Sequence, residues 1–351
     1  MLVIAGVFAM MAIVVSFLHI FNHLRNWTLP EQQRYIIRII LMVPIYSIDS
    51  WLSLRFHEHS LYFDIVRDCY EAYVLYQFFS LLVSYIENGA PGNLEEILKE
   101  KPSRTHPCPL CCLPSFRPGP LFLLITKQFI LQYVIIKPLM ACIAGGLQFA
   151  GLYEEGSFSY THGYMYIAGI TNISVTLSMY FLVLFYLVTE PELSPNQPVA
   201  KFICIKSILF FSFWQSVAIG IASYFNLIPE LGDWKKEEIA TALQDFIICI
   251  EMFVLATAHM LVFPYQPYRD RPSSHLTIAE IKGSVRNFTT VIDQEDILND
   301  LNIYRPIYVS NAKRQQKELI ERDISLSLLQ ADHLEPENQQ EKDTNPNLNI
   351  N

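Results

Sequence analysis

Residues 2–21 read LVIAGVFAMMAIVVSFLHIF, an uninterrupted apolar stretch without a charged side chain. A bilayer core about 30 Å thick is crossed by roughly 20 residues of α-helix, because each residue rises about 1.5 Å. This stretch is therefore long enough to cross a membrane once. It lacks a basic start and no small-residue cleavage site follows it, so we expect a retained transmembrane helix rather than a signal peptide.

Six further stretches of the chain pass the same test of length and hydropathy. Together with the first, the predicted spans run approximately over residues 2–21, 35–56, 62–86, 121–150, 163–188, 202–228 and 239–263. The composition agrees, since 52% of the 351 residues are hydrophobic and only 17% are charged, a balance that soluble domains of this size rarely show. The sequence therefore predicts an all-α polytopic membrane protein, with a seven-helix transmembrane domain over residues 1–263.

The hydropathy of the chain collapses after residue 263. Residues 264–351 are polar, and their end is rich in Asn, Gln and Glu, which cannot bury enough apolar surface to offset the entropy of ordering. We expect a cytoplasmic tail that is largely disordered. Within it, residues 304–307 read YRPI and fit a tyrosine-based sorting motif, with Tyr304 and Ile307 as its candidate residues.

The orientation of the spans follows from the Lys and Arg residues beside them, because cytoplasmic loops carry an excess of these residues. If the odd-numbered loops and the tail face the cytoplasm, that side holds Arg25, Arg34, Lys99, Lys101, Arg104, Arg117, Lys201, Arg269 and Arg271, and the opposite side holds Arg55, Lys235 and Lys236. This asymmetry predicts the N-terminus outside and the C-terminus in the cytoplasm. In this topology the glycosylation triplets that begin at Asn26, Asn172 and Asn287 carry no glycan.

Charged residues inside the predicted spans are equally divided between acids and bases. They are Arg38, Asp49, Arg55, Asp64, Arg67, Asp68, Glu71, Lys127, Lys137, Lys206, Asp245 and Glu251. Exposing each of them to lipid would cost about 2.5 to 3.5 kcal/mol, so we expect them to face one another, water or the interface. Arg38, Lys127 and Lys206 lie near the predicted cytoplasmic ends, where we expect their charged groups to snorkel to the membrane surface.

The third span carries the most informative charge pattern. Asp64, Arg67, Asp68 and Glu71 follow one another at i, i+3, i+4 and i+7, so they share one face of a helix. One interpretation is a structural ion pair between Arg67 and Asp64, Glu71 or Asp49 of the preceding span. The other interpretation is the wall of a polar cavity that opens to the outside. The sequence leaves both open.

Two later spans add polar groups that such a cavity would use. The seventh span holds Asp245, Glu251 and His259, and acids of this kind are typical of proton or cation pathways. The candidate residues for a solute-binding cavity between the second, third, sixth and seventh spans are Asp49, Asp64, Arg67, Asp68, Glu71, Gln215, Asp245 and Glu251. Arg67 is the predicted contact for an anion, because its planar fork pairs with two oxygens at once.

Three cysteines crowd the predicted cytoplasmic loop after the third span. Cys108, Cys111 and Cys112 are juxtamembrane, a position that is typical of reversible S-acylation by palmitate. Their spacing also resembles that of zinc ligands, but no second Cys or His pair follows to complete four ligands. We expect acylation here, and we expect neither a metal nor a cofactor.

The charge and the motif content of the chain argue against two classes of function. The formal net charge is −9, so nothing in the overall charge favours binding to nucleic acid. The chain contains no Gly-x-Gly-Asp, no Gly-x-Ser-x-Gly and no phosphate-binding loop, and only His19 and His259 among its nine His lie within the spans. We therefore expect no enzymatic activity.

Several motifs together resemble the transmembrane protein 184 family, which is related to the organic solute transporter alpha subunit and to a group of plant vacuolar proteins. They are HLRNW at 23–27, PEQQRY at 30–35, DSWLS at 49–53, RDCYEAY at 67–73, KPLM at 137–140, SPNQP at 194–198, KFICIK at 201–206, SFWQ at 212–215 and QDFIICIE at 244–251. They occur in order over residues 20–268. The resemblance implies seven helices, an outside N-terminus and a location in the plasma membrane or an endosomal or vacuolar membrane.

Two hypotheses about function follow. The first is a passive or ion-coupled transporter of organic solutes. The second is a receptor or trafficking scaffold in which the intramembrane charges are purely structural; family members have been linked to heparin binding and vesicle traffic. The expected partners are the lipid bilayer, an unknown organic solute, and either a single-pass accessory subunit or a second copy of the chain, with no nucleic acid.

Overall fold

The computed structural model describes residues 1–56, 60–89, 94–107, 114–153, 163–225, 236–269 and 278–294. Within these ranges the chain is helical, apart from loops and an isolated bridge between Arg104 and Phe116. The candidate acylation residues Cys108, Cys111 and Cys112 and the candidate sorting residues Tyr304 and Ile307 lie outside the described residues. By its contacts the chain divides into two units, Met1–Val291 and Ile292–Asn351.

Ten α-helices occur in the described residues. They are α1 (Leu2–Arg25), α2 (Pro30–Ile40), α3 (Met42–Arg55), α4 (Ser60–Gly89), α5 (Leu94–Glu100), α6 (Pro120–Phe149), α7 (Tyr164–Leu193), α8 (Pro198–Tyr224), α9 (Lys236–Val262) and α10 (Ile278–Ile292). Short 3-10 turns follow α7 at Ser194–Asn196 and α9 at Gln266–Tyr268. The all-α prediction is confirmed for the described residues.

Each predicted span corresponds to a long helix or to a pair of helices. The second span divides into α2 and α3 at Leu41. Pro44 explains the division, because proline has no N–H to donate to the carbonyl of Ile40 and its ring crowds that carbonyl. Among the described residues, six helical segments are long and apolar enough to cross a membrane. The helix α4 is not among them, because the polar residues of its first half lower its hydropathy, so the count of seven is not confirmed.

The core of the bundle is built around α4. This helix packs against α2, α3 and α6, while α9 packs against α1, α3 and α8, and α6 pairs with α7. The side chains of Leu75 and Phe79 are almost completely buried, and the ring of Phe79 lies edge-on to Phe185 of α7 at 5.1 Å between centroids. Large apolar side chains such as Val3 and Leu261 are exposed on the outside of the bundle. A chain that buries polar groups and exposes apolar ones is suited to a lipid solvent.

The carboxyl ends of α1, α4, α7 and α9 meet at one end of the bundle, which we call the tail-side end. The Tyr268 hydroxyl, just after α9, donates to Gln32 Oε1 at 3.0 Å, and the Gln32 amide donates to the carbonyl of Ser84 at 3.4 Å. Burial raises the pKa of the Tyr268 phenol above its usual value, so it remains a donor at neutral pH. Lys101, after α5, pairs with Glu192 of α7 at 2.6 Å. Alternate helices therefore run in opposite directions.

The helix α10, in the first part of the predicted tail, packs against the tail-side end. Arg38 of α2 donates through Nε to the carbonyl of Val291 at 2.9 Å and through Nη1 to Gln77 Oε1 at 2.9 Å. Asn287 donates to the carbonyl of Leu24 at 3.2 Å. Only 2% of Arg38 is exposed, so the prediction that it snorkels was wrong. Its guanidinium instead neutralises the negative end of the α10 dipole.

Candidate functional site

The polar face of α4 is paired with charged side chains of three neighbouring helices. Arg67 binds two carboxylates at once: its Nη1 lies 3.3 Å from Asp49 Oδ2 of α3, and its Nη2 pairs with Asp64 one turn away on α4. The fork of the guanidinium suits this double contact, because its N–H groups point in two fixed directions. The predicted ion pair of Arg67 with Asp49 and Asp64 is present, but Glu71 is not its partner.

Two lysines from other helices bind Asp68 and Glu71, the other two carboxylates on this face of α4. Lys137 of α6 pairs with Asp68 at 2.8 Å, and Lys206 of α8 pairs with Glu71 at 2.8 Å. The prediction that Lys206 snorkels was therefore wrong. The flexible side chain of Lys206 brings its ammonium group to the buried Glu71 carboxylate, so the charge is compensated inside the bundle instead of at the membrane surface. These two pairs join α6, α4 and α8.

Both lysine pairs lie in the wall of one cavity of about 580 Å³, which we call the α4–α8 cavity. Its walls come from α4, α6, α7 and α8 and from Tyr153, which follows α6. The polar residues that line it are Asp64, Asp68, Glu71, Tyr133, Lys137, Tyr153, Tyr164, Thr171, Asn172 and Lys206. Apolar side chains such as Met140 and Ile167 fill the rest of the wall. Its size lies within the range of about 300–1,000 Å³ that is typical of small-molecule sites.

The lining of this cavity differs from the set of candidates drawn from the sequence. Three of the eight candidates, Asp64, Asp68 and Glu71, line it, together with residues of the fourth and fifth predicted spans. The difference has a physical reason: α6 packs directly against α4 and brings Lys137 to its polar face. A helix face shows which residues point the same way, but not which helix covers them.

The other candidates lie in two different places. Asp49 and Arg67 meet between α3 and α4, where Asp245 of α9 interacts with them electrostatically. Gln215 of α8 donates through Nε2 to Glu251 of α9, and Glu251 borders an apolar groove of about 670 Å³ between these two helices. The structure therefore does not bring the eight candidates together in one cavity.

Sequence reasoning missed several polar residues of these sites. The sequence places Lys206 at the membrane surface and does not single out Tyr133, which lines the α4–α8 cavity. One signal in the sequence pointed to Lys206, namely the equal number of acidic and basic residues within the spans. Because unpaired charges are costly in lipid, equal numbers favour complete pairing.

Two histidines of α1 bind the end of α9 away from the α4–α8 cavity. His19 Nε2 lies 2.8 Å and His23 Nε2 lies 3.1 Å from the carbonyl of Phe263, so both nitrogens donate to this oxygen. The contact satisfies a carbonyl that the end of a helix leaves without a donor. Among the described residues, no group of three or more His, Cys, Asp or Glu side chains is arranged to hold a metal ion.

Comparisons with known proteins identify the family. The family described as organic solute transporter Ostalpha matches residues 1–268. A transmembrane protein 184 homolog of Dictyostelium discoideum is 40% identical over 317 residues, which are 87% of this chain and 62% of that protein. The chain thus spans less than two thirds of the length of this relative. No solved structure matches the chain. The family match and the apolar helices show a multi-pass integral membrane protein, and the chain belongs to the organic solute transporter Ostalpha family.

Proposed function

We propose that this protein transports organic solutes across a membrane and binds them in the α4–α8 cavity. The observation that carries the proposal is that two ion pairs, Lys137 with Asp68 and Lys206 with Glu71, stand in the wall of the same cavity. Charges on three different helices meet there. A solute that replaces one partner of an ion pair weakens the attraction between the two helices that the pair joins. A transport cycle requires such a difference between the states with and without bound solute.

The chemistry of the wall favours solutes that carry an anionic group on an apolar body. A solute carboxylate or sulfonate competes with Asp68 for Lys137, or with Glu71 for Lys206, through a charge-assisted hydrogen bond. The Tyr133 hydroxyl and the Asn172 amide are polar groups that orient the solute. Apolar side chains such as Met140 and Ile167 contact its body. In this proposal the lysines, rather than Arg67, are the anion contacts.

The proposal includes seven crossings, with the N-terminus outside and the tail-side end in the cytoplasm. Two observations support α4 as a crossing helix. Its 30 residues extend about 45 Å, more than the bilayer core requires. It also ends at the tail-side end, as α1, α7 and α9 do. It therefore runs opposite to the predicted spans before and after it, as a membrane-crossing helix at this place in the chain must. The excess of Lys and Arg at this end supports its cytoplasmic location.

Uptake by proteoliposomes tests the proposal. The full chain is reconstituted, and the uptake of two organic anions of different size, benzoate and fluorescein, is measured against empty vesicles. We expect uptake by the wild type, and a loss of at least tenfold in Asp68→Asn and Lys137→Gln. Lys101→Gln is the matched control, because it removes a lysine ion pair at the tail-side end, away from the cavity. Unchanged uptake in both cavity variants would contradict the assigned cavity.

A receptor or trafficking scaffold is the second candidate. The observation that favours it is that Asp64, Asp68, Glu71, Lys137 and Lys206 are all ion-paired, as they would be if they only held the helices together. In that case the wild type takes up neither anion. Lys137→Gln then lowers the yield of folded protein, because Asp68 loses its counter-charge.

A further inference from the structure

Three carboxylates from three helices interact with the single guanidinium of Arg67, and two of them are ion-paired with it. Asp49 belongs to α3, Asp64 to α4 and Asp245 to α9, and all three interact with Arg67. If all three were ionised, two negative charges would remain without compensation inside a buried region. Burying uncompensated negative charges inside a membrane protein is costly. An additional positive charge near these three carboxylates would remove part of this cost.

Asp245 is the member of this group that lacks a direct partner. Only 7% of the residue is exposed, and it lies nine residues after Lys236, about 14 Å along α9. In the part of the chain that the structure describes, no hydrogen bond or ion pair reaches its carboxylate, whereas Asp49 and Asp64 both bind Arg67. Burying a neutral carboxyl group costs far less than burying an unpaired carboxylate.

Three hydroxyl groups on the Asp49 face of α3 are free to accept a hydrogen bond in the described structure. Tyr46, Ser50 and Ser53 share a face of α3 with Asp49, and each is at most 2% exposed. Their hydroxyl oxygens make no hydrogen bond in the described structure. A protonated carboxyl group is a donor, and a hydroxyl oxygen can accept from it. No metal-binding group occurs in the described residues, so the missing positive charge is better supplied by a proton than by a metal ion.

The other titratable groups around Asp245 do not supply this charge. On α9, Cys249 lies one turn further along, and a thiol carries no positive charge. On α1, within the described residues, the Met1 amino group makes no ion pair with Asp245, and His19, His23 and Arg25 lie in the last two turns, at the tail-side end. On α8, Lys206 is bound to Glu71. On α3 and α4, the charged groups that face Asp245 are Asp49, Asp64 and Arg67.

We propose that Asp245 is a proton-binding site, at which a proton from solution adds to the carboxylate and later leaves it. With the proton bound, the carboxyl group is neutral and Arg67 remains with Asp49 and Asp64. When the proton leaves, the Asp245 carboxylate competes with Asp49 for Arg67 and draws α9 toward α4. Coupling of this proton to solute movement rests on the proposed function, but the proton site itself does not.

Chemical labelling tests the site without any assumption about transport. Dicyclohexylcarbodiimide enters bilayers and adds to protonated carboxyl groups, and the adduct rearranges to a stable N-acylurea. With the purified full chain in vesicles, we expect labelling at Asp245 that is at least threefold faster at pH 6 than at pH 8. Asp245→Glu should keep the label, Asp245→Asn should lose it, and Glu96→Gln, which changes an exposed carboxylate of α5, should label like the wild type. Labelling that is absent at Asp245, or equal at both pH values, would overturn the proposal.

Flux measurements separate this inference from the proposed function. In the same vesicles, uptake of benzoate or fluorescein by the wild type should move protons, recorded with a pH-sensitive dye in the lumen. Asp245→Asn should keep solute uptake but lose its dependence on pH and the accompanying proton movement. Labelling of Asp245 without any uptake would contradict the proposed transport and would still support the proton-binding site. Uptake by Asp245→Asn that keeps the wild-type pH dependence and proton movement contradicts the proton site and leaves transport standing.

Discussion

The Lys206 ammonium lies 2.8 Å from the Glu71 carboxylate, although 135 positions separate the two residues in the chain. Glu71 is only 11% exposed in its side chain, so this contact removes most of the cost of placing a carboxylate inside the bundle. The pair also ties α8 to α4, which otherwise meet through few residues. The burial of Glu71 inside the bundle is therefore explained by a partner from another helix, not by the neighbouring Arg67.

Exchanging the two charges tests this pair. Lys206→Glu places two carboxylates side by side, and we expect it to lower the free energy of unfolding by about 3 to 5 kcal/mol. The double variant Glu71→Lys, Lys206→Glu restores an ion pair and should recover most of the lost thermal stability. Thermal unfolding of the purified variants in detergent is the measurement. Equal stability of the single and double variants would show that the two residues do not interact.

Glu71→Gln separates the structural role of the pair from its role in transport. The Gln side chain keeps an oxygen that can accept from Lys206, so we expect normal yield and localisation. It removes the negative charge from the cavity wall, so solute uptake should fall at least tenfold or change its pH dependence. Uptake and membrane yield are measured on the same preparations. Normal uptake by the Glu71→Gln variant would show that transport does not need this negative charge, and it would contradict the role of Glu71 in the assigned cavity.

Arg67→Lys tests the double contact of the guanidinium. Lysine keeps the positive charge but lacks the planar fork, so it can bind either Asp49 or Asp64 strongly, not both. We expect a protein that is produced but inactive in uptake. Size-exclusion profiles establish folding, and vesicle uptake establishes activity. Wild-type uptake in this variant would mean that only the charge of Arg67 matters.

Arg38→Met tests the attachment of α10 to the bundle. The change removes the donor to the Val291 carbonyl and to Gln77, and each buried acceptor left unpaired costs about 1 to 3 kcal/mol. We expect α10 to separate from the bundle more often, so that a cysteine at the buried position Val291 reacts with maleimide at least fivefold faster. A cysteine at Thr290, which is already exposed, is the control and should react equally in both backgrounds.

The cysteine loop gives a prediction that depends on the sequence alone. We expect Cys108, Cys111 and Cys112 to carry thioester-linked acyl chains that hold the loop at the inner leaflet. Replacing all three by Ser should abolish hydroxylamine-sensitive labelling with a fatty-acid analogue in cells. Labelling that persists would contradict acylation, and stoichiometric zinc in the purified protein would favour metal binding instead.

Much of the fold could be predicted from the sequence because membrane helices are local features. The hydropathy of about 20 consecutive residues decides whether a segment can cross the bilayer, and each of the seven predicted spans forms a helix or a helix pair. The polar face of α4 was equally predictable, because a spacing of three or four residues fixes one side of a helix. The packing of α10 onto Arg38 could not be predicted, since nothing in the apolar pattern marks the surface that receives it.

The sequence by itself determined the all-helical membrane architecture, the family and the shared face of Asp64, Arg67, Asp68 and Glu71. Only the tertiary structure decided which charges meet. Asp68 and Glu71 lie in adjacent turns of α4, yet one binds Lys137 of α6 and the other binds Lys206 of α8. The physical reason is that hydropathy and helical period depend on neighbours in the chain, whereas an ion pair depends on the rotation and axial position of two separate helices. The packing of the whole bundle sets these two quantities.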